Sequence, residues 1–189
     1  MKKIVCILLC LFLLTGCVSS DKKKTVRNTL ETYFDALTSK DYDKANSMVA
    51  LGDENISAEI ERSNVNDVIF KDISYEIWDI TEVDGFLCAE VVITQISLQA
   101  AYTDTVKEYA EYVEEAKKQN KVFTDEALEN KWNEIFYKHV TKVEEKISLK
   151  CDVFILQEKD KDPQIVMTKE LRNCLFGGEL DAINALQKG

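Results

Sequence analysis

The chain is poor in the residues that break or tie structure. Its 189 residues hold one proline, Pro163, six glycines and one histidine, His139. So little proline and glycine excludes a Pro-rich spacer, a collagen-like repeat and a low-complexity segment. No G-x-G-x-x-G, P-loop or G-x-S-x-G stretch occurs. The glycine-built phosphate cradles and nucleophile turns that can be read from sequence are therefore missing. A single histidine has no companion for a zinc or iron site, and no His–Cys spacing suits one. Positive charge is short too: 24 Lys and Arg stand against 34 Asp and Glu, a net of −10. Such a body does not hold nucleic acid by neutralising phosphates.

Long apolar runs are equally scarce. Phe86 to Ala101 is interrupted by Glu90, Gln95 and Gln99. The one unbroken run, Ile4 to Leu14, is well short of the roughly 20 residues that a spanning helix needs. Lys2 and Lys3 precede it and Leu14-Thr15-Gly16-Cys17 follows, which is the layout of a secretory signal. With a cysteine directly after a small residue, the stretch resembles the lipobox of bacterial lipoproteins. That resemblance implies a diacylglycerol on the Cys17 thiol, cleavage between Gly16 and Cys17, and a chain anchored to a membrane without crossing it. Two acyl chains hold firmly where one binds only marginally.

Removing residues 1–16 takes two lysines and no acidic residue, so 173 residues remain with a net charge of −12. That length makes one domain with one core. Residues 17–24 read as a lipidated N-terminus and a short basic tether, and 25–189 as a single domain. From Cys17 to Thr25 an extended chain reaches at most about 28 Å. The domain is then held near the bilayer, with Lys22, Lys23 and Lys24 either facing it or forming a solvated linker.

Cys6 and Cys10 leave with the signal, and Cys17 carries lipid. Cys88, Cys151 and Cys174 remain. Export permits a disulfide, and three thiols make at most one. Either all are buried as small hydrophobes, or Cys88 and Cys151 bridge, because their strands are expected to be neighbours.

Periodicity supplies the elements. Val26, Leu30, Tyr33, Phe34 and Leu37 make one helical face. Asp41 is placed to cap a second, short helix, which Leu51-Gly52 ends. Ile56 and Ile60 suggest a third helical piece. Alternation around Ile73, Tyr75 and Ile77 predicts a strand ending at Asp84-Gly85. "FLCAEVVITQISLQ" predicts its hairpin partner. Helical spacing returns at Tyr102, Val106, Tyr109 and Val113. Another helix follows, capped by Thr124 and carrying Leu128, Trp132, Ile135, Phe136 and His139 or Val140. "KISLKCDVFILQ" is a third strand, "EKDKDP" a hairpin loop and "QIVMTKEL" a fourth strand. Gly177-Gly178 opens a final helix. The fold class is α+β: N-terminal helices on a curved antiparallel sheet of about four strands, a helical pair between the second and third strands, and a C-terminal helix.

This order, with "TVRNTLETYFDALTSKDYDKA" near the start and "LFGGELDAI" near the end, resembles Gram-positive bacterial lipoproteins with a nuclear transport factor 2-like domain, the cystatin-like cone. The likeness covers nearly all of the chain after the signal. It implies a cone with a natural cavity on the outer face of a cell membrane, and its motifs are fold motifs, not catalytic ones. One departure is visible. The group often opens its last strand with tryptophan, a basic residue and isoleucine, where this chain has Pro163-Gln164-Ile165.

Few residues suggest chemistry. His139 sits near a helix end, where positive charge is welcome. Gly177-Gly178 precedes a helix, but Glu179 puts a negative charge where an anion would sit. Asp41 with Asp43, and Asp160 with Asp162, lack the further oxygen ligands of a calcium loop and stand where Asp favours helix starts and turns. Glu90 and Asp152 lie inside predicted strands. Facing an apolar concavity, either would become a general base. Lys146 and Lys150 share the parity of Asp152, which predicts a wet face with cross-strand ion pairs instead. Tyr33, Phe34, Trp78, Trp132 and Phe136 have core spacing, with some of them free to line a cavity. No cofactor is implied. The reading is a membrane-anchored module that binds a protein or small ligand without catalysis, through the cone or the helical pair Tyr102 to Val140. The alternative is a small isomerase or hydrolase using an inward strand carboxylate.

Overall fold

Ser19 starts the first helix: its hydroxyl accepts a hydrogen bond from the Lys22 amide at 3.3 Å, satisfying one of the free N–H groups of a helix N-terminus. The computed structural model describes residues 18–50, 57, 59–83, 85–159 and 161–188. Gly16, Cys17, Ile56 and Asp160 lie outside the described residues, as does the whole signal-like segment. Helix α1 (Ser20–Thr38) buries Val26, Leu30, Tyr33, Phe34 and Leu37 on one face. Phe34 stacks on Tyr75 with ring centroids 4.1 Å apart, which seats α1 on the sheet.

The described residues form seven helices and a five-stranded sheet. After α1 come α2 (Tyr42–Ser47), β1 (Val49–Ala50), α3 (Asn64–Ile69), β2 (Ser74–Val83), β3 (Phe86–Ile96), α4 (Leu98–Lys118), α5 (Asp125–Val140), β4 (Lys146–Leu156), β5 (Gln164–Val166), α6 (Lys169–Leu175) and α7 (Glu179–Lys188). The sheet order is β1-β5-β4-β3-β2, antiparallel except for the β1–β5 pair. The sheet is open and curved, and β2 shifts register between Ile77 and Ile80, the kind of bulge that adds local twist.

Alternation sorts its two faces. Val91, Ile93, Val153 and Ile155 are fully buried, facing α1 and α6. Glu90, Val92, Thr94, Ser148, Lys150 and Asp152 are half-exposed or exposed on the other face. Each inward branched side chain contributes roughly 1.5–3 kcal/mol by leaving water. The helical pair α4–α5 lies between β3 and β4 in the chain, as expected, and the C-terminal helix follows Gly177-Gly178.

Five details depart from the sequence reading. The stretch taken for a basic tether is helical from Ser20, and Val18 belongs to the buried core. Lys22 pairs with Glu82 of β2 at 2.8 Å. The domain therefore begins within one residue of Cys17 and not at Thr25. Ile60 is not helical, because the Asn46 amide takes both of its backbone groups: Ile60 N donates to Asn46 Oδ1 at 2.9 Å, and Asn46 Nδ2 donates to Ile60 O at 3.1 Å. The third helix starts instead after Ser63, whose side chain caps it. The strand β3 stops at Ile96, and Leu98 already belongs to α4, since the Leu98 amide turns to donate to Gly177 O at 3.0 Å. "QIVMTKEL" splits into β5 and α6, because the Thr168 hydroxyl accepts from the Leu171 amide at 3.1 Å and begins a helix. The fifth strand is the two-residue β1, too short to show a period.

Gly177 explains why the double glycine is no anion cradle. Its φ is +53°, and a Cβ there would come within 1.9 Å of the Ile96 carbonyl oxygen. The glycine exists so that the α6–α7 turn can touch the end of β3.

Candidate functional site

Arg172 projects from α6 into a cavity of about 240 Å³ enclosed by α3, α5 and the α6–α7 turn. Its walls include Asn66, Ile69, Phe136 and Phe176, with Glu179 inside and Glu59 and Glu61 at the rim. The Thr168 cap orients α6 so that Leu171, Cys174 and Leu175 enter the core and Arg172 faces the cavity. Asn173 then fixes the next helix: its Oδ1 accepts from the Leu180 and Asp181 amides, placing Glu179 opposite Arg172.

The guanidinium is held but underused. One of its nitrogens donates to the Ser57 carbonyl at 3.2 Å. Another lies 3.7 Å from a Glu179 oxygen, too far for a good hydrogen bond. Its flat face covers the Phe176 ring, 4.5 Å from the centroid, a cation–π contact. Arginine carries five N–H donors in a rigid fork, and among the described residues one of them has a hydrogen-bond partner. Glu179 is tied elsewhere: it accepts from the Tyr102 hydroxyl at 2.7 Å. Burial first, then the Glu179 charge, pushes the Tyr102 hydroxyl well above its usual pKa. It stays protonated and donating.

Tyr33 adds the informative anomaly. Its side chain is 1% exposed, and its hydroxyl has no hydrogen-bond partner among the described residues. Burial raises its pKa, and the Arg172 charge opposes that rise, which places the hydroxyl within the electrostatic reach of the guanidinium. An unpaired buried polar group is costly and calls for an explanation. Tyr33 is not among the residues that line the cavity; the lining sets the Arg172 guanidinium among the apolar faces of Ile69, Phe136 and Phe176, an arrangement suited to an acceptor oxygen on a small molecule.

A larger groove of about 720 Å³ runs between α1, α2 and the β4–β5 loop, where Asn28, Thr32, Lys44 and Lys161 line it with Pro163 and Gln164. It is wide and holds no buried charged group. Volume alone does not make it the better site.

The residues singled out from sequence fall elsewhere. Glu90 and Asp152 face each other across β3 and β4 on the exposed face. Lys150 pairs with Glu90 and lies 5.5 Å from the Trp78 ring centroid. This is the wet face that the lysine parity predicted, so the inward-carboxylate alternative loses its geometry. Trp78 is 58% exposed, not core: the register shift after Ile77 leaves it outward. Tyr33, Phe34 and Phe136 are buried as expected. Trp132 is half-buried and meets Tyr109 edge-on at 5.3 Å, cementing α4 to α5. His139 sits in the last turn of α5, its Nε2 2.8 Å from a Glu108 oxygen. Asp41 caps α2.

Cys88, Cys151 and Cys174 are all free and buried. The suggested Cys88–Cys151 bridge is not made. The strands are neighbours, as expected, but Cys88 lies opposite Phe154 while Cys151 lies opposite Val91. An offset of three residues puts the two thiols on opposite faces of the sheet. Among the described residues, no helix is long and apolar enough to cross a membrane, and no cluster of three or more His, Cys, Asp and Glu is placed to hold a metal ion.

Arg172 was not foreseen. It is one of three arginines, set in the largely apolar "LRNCLF", and a lone basic residue among core positions was the available signal. No protein-family model, curated protein or solved structure matches the chain.

Proposed function

We propose that this protein is a lipid-anchored extracytoplasmic binding module of the cone-fold type, tethered through Cys17, that takes a small ligand in the Arg172 cavity without catalysing a reaction. The ligand presents a carboxylate or carbonyl oxygen to the Arg172 fork, and rests its apolar part on Phe136 and Phe176. The half-buried Arg172 fork, with one hydrogen bond among the described residues and aromatic walls around it, carries this reading. The anchor is supported by the basic, apolar and Gly16-Cys17 order at the N-terminus. Val18 already belongs to the core, so such an anchor would leave almost no slack between lipid and domain.

Native mass spectrometry of protein extracted from its own membranes tests both parts. The expected chain starts at Cys17, carries a diacylglycerol and retains a bound small molecule that Arg172→Lys loses. Arg172→Lys keeps the charge and removes the bidentate fork. An unmodified N-terminus refutes the anchor. Equal ligand occupancy in both proteins refutes the site.

A further inference from the structure

We propose that Cys151 of β4 and Cys174 of α6 are a disulfide-forming pair, closed by thiol–disulfide exchange with a small-molecule disulfide, which fastens α6 to the sheet. Three observations support it. Leu171, Cys174 and Leu175 are the buried side of α6, and Cys151 is on the helix-facing side of β4, opposite Val91. The two thiols are close enough that each is the foremost influence on the other's ionisation. Cys88 is shut out of this pair, because its side chain is on the other face of the sheet, near Glu90 and Asp152.

Access comes from the edge of β4. Along β4, the strand β5 pairs only with Phe154, Ile155 and Leu156 among the described residues. Beside Cys151, where β5 no longer covers the strand, a cleft of about 380 Å³ is lined by Lys150, Cys151, Asp152, Phe154 and Glu170. An incoming disulfide thus approaches the pair from the Cys151 side.

The contact also orders the proton losses. Cys151 holds the Cys174 thiol below its usual pKa, while Cys174 and then burial hold Cys151 above it. Cys174 releases its proton to solvent first, and its thiolate attacks one sulfur of the disulfide R–S–S–R. A mixed disulfide forms on Cys174 and one RS⁻ leaves, taking a proton from solvent. Cys151 then gives up its proton to solvent, attacks the Cys174 sulfur and expels the second RS⁻, which takes a proton in turn. Two protein thiols are oxidised, and one external disulfide is reduced to two thiols. The bridge would close the chain around the β4–β5 loop and hold the helix that carries Arg172.

The inference does not depend on where the protein resides, because the oxidant can be supplied. The purified chain is reduced, dialysed against oxidised glutathione while folded, alkylated after unfolding and mapped by peptide mass spectrometry. The expected map has a Cys151–Cys174 linked peptide pair, two hydrogens lighter than the reduced pair, and an alkylated Cys88. Cys88→Ser keeps the link, and the oxidised chain unfolds at higher temperature than the reduced one. Alkylation of all three thiols overturns the proposal, and so does a link that includes Cys88.

Discussion

Replacing Tyr33 with phenylalanine should stabilise the ligand-free protein. The ring of Tyr33 is 1% exposed and its hydroxyl has no partner among the described residues. An unsatisfied buried polar group costs about 1–3 kcal/mol. Deleting one oxygen leaves a hole of a few tens of cubic ångströms at most, worth about 0.3–0.7 kcal/mol of lost packing. The net gain is about 1–2 kcal/mol. For a domain of this size that raises the unfolding midpoint by about 2–8 °C. Because burial holds the hydroxyl above its usual pKa, it is protonated throughout neutral pH, and the gain should be flat from pH 6 to 8. Tyr42 is the control. It is equally buried at 1%, but its hydroxyl donates to Asp67 at 2.9 Å. Tyr42→Phe removes a charge-assisted bond and must destabilise. Urea titration and thermal unfolding of the two variants therefore give opposite signs for the same chemical change. A loss of stability in Tyr33→Phe would refute the claim that its hydroxyl is idle.

Three further outcomes follow from the fold. Gly177→Ala combines a left-handed φ with a Cβ 1.9 Å from the Ile96 oxygen, so it should cost about 3 kcal/mol or more. Gly85→Ala, also at positive φ but with nothing within 4 Å, should cost only about 1–2 kcal/mol; equal urea midpoints would refute the contact. Thr168→Ala removes the cap of α6 and should cost about 1 kcal/mol, with weaker ligand retention at Arg172. The third outcome concerns acid. Lys40 and then Tyr42 hold the Asp67 carboxyl below its usual range, and Lys138 and then His139 do the same for Glu108. A depressed folded pKa gives stability that is complete above the unfolded value of about 4 and is lost as pH falls through the folded value. Urea midpoints measured from pH 6 down to 3 should fall more steeply in the parent than in an Asp67→Asn, Glu108→Gln double variant. Parallel curves would refute the assignment.

The elements that could be read in advance are those whose signal is local. The α1 face from Val26 to Leu37 repeats at helical spacing, and Thr124 and Asp41 carry caps within three residues of their targets. The sheet hairpin is marked by Gly85, whose φ of +85° a turn requires. The failures share a different cause: a partner far along the chain redirects the local signal. Ile60 looks helical until the Asn46 amide, 14 residues away, takes its backbone. Thr168 is the exception, a local cap on Leu171 hidden inside a β-like run. Val49 and Ala50 have no strand signal of their own, and pair only because Ile165 and Val166 are presented to them.

The candidate site was illegible for the same reason, carried further. Tyr33, Tyr102, Arg172 and Glu179 come from three separate stretches of the chain, and no spacing rule links them. What betrays them is incomplete satisfaction, a Tyr33 hydroxyl without a partner among the described residues and an Arg172 fork with one hydrogen bond there, and that property exists only after folding. The cysteines make the point most sharply. Sequence correctly made β3 and β4 neighbours, yet adjacency of strands does not make adjacency of thiols. A slip of three residues turns Cys88 to the outer face and leaves Cys151 facing α6. Register, which composition and period cannot supply, thus decides which pair of thiols can be oxidised together. The proposed bridge joins the sheet to the helix bearing Arg172, so oxidation and ligand binding act on one element.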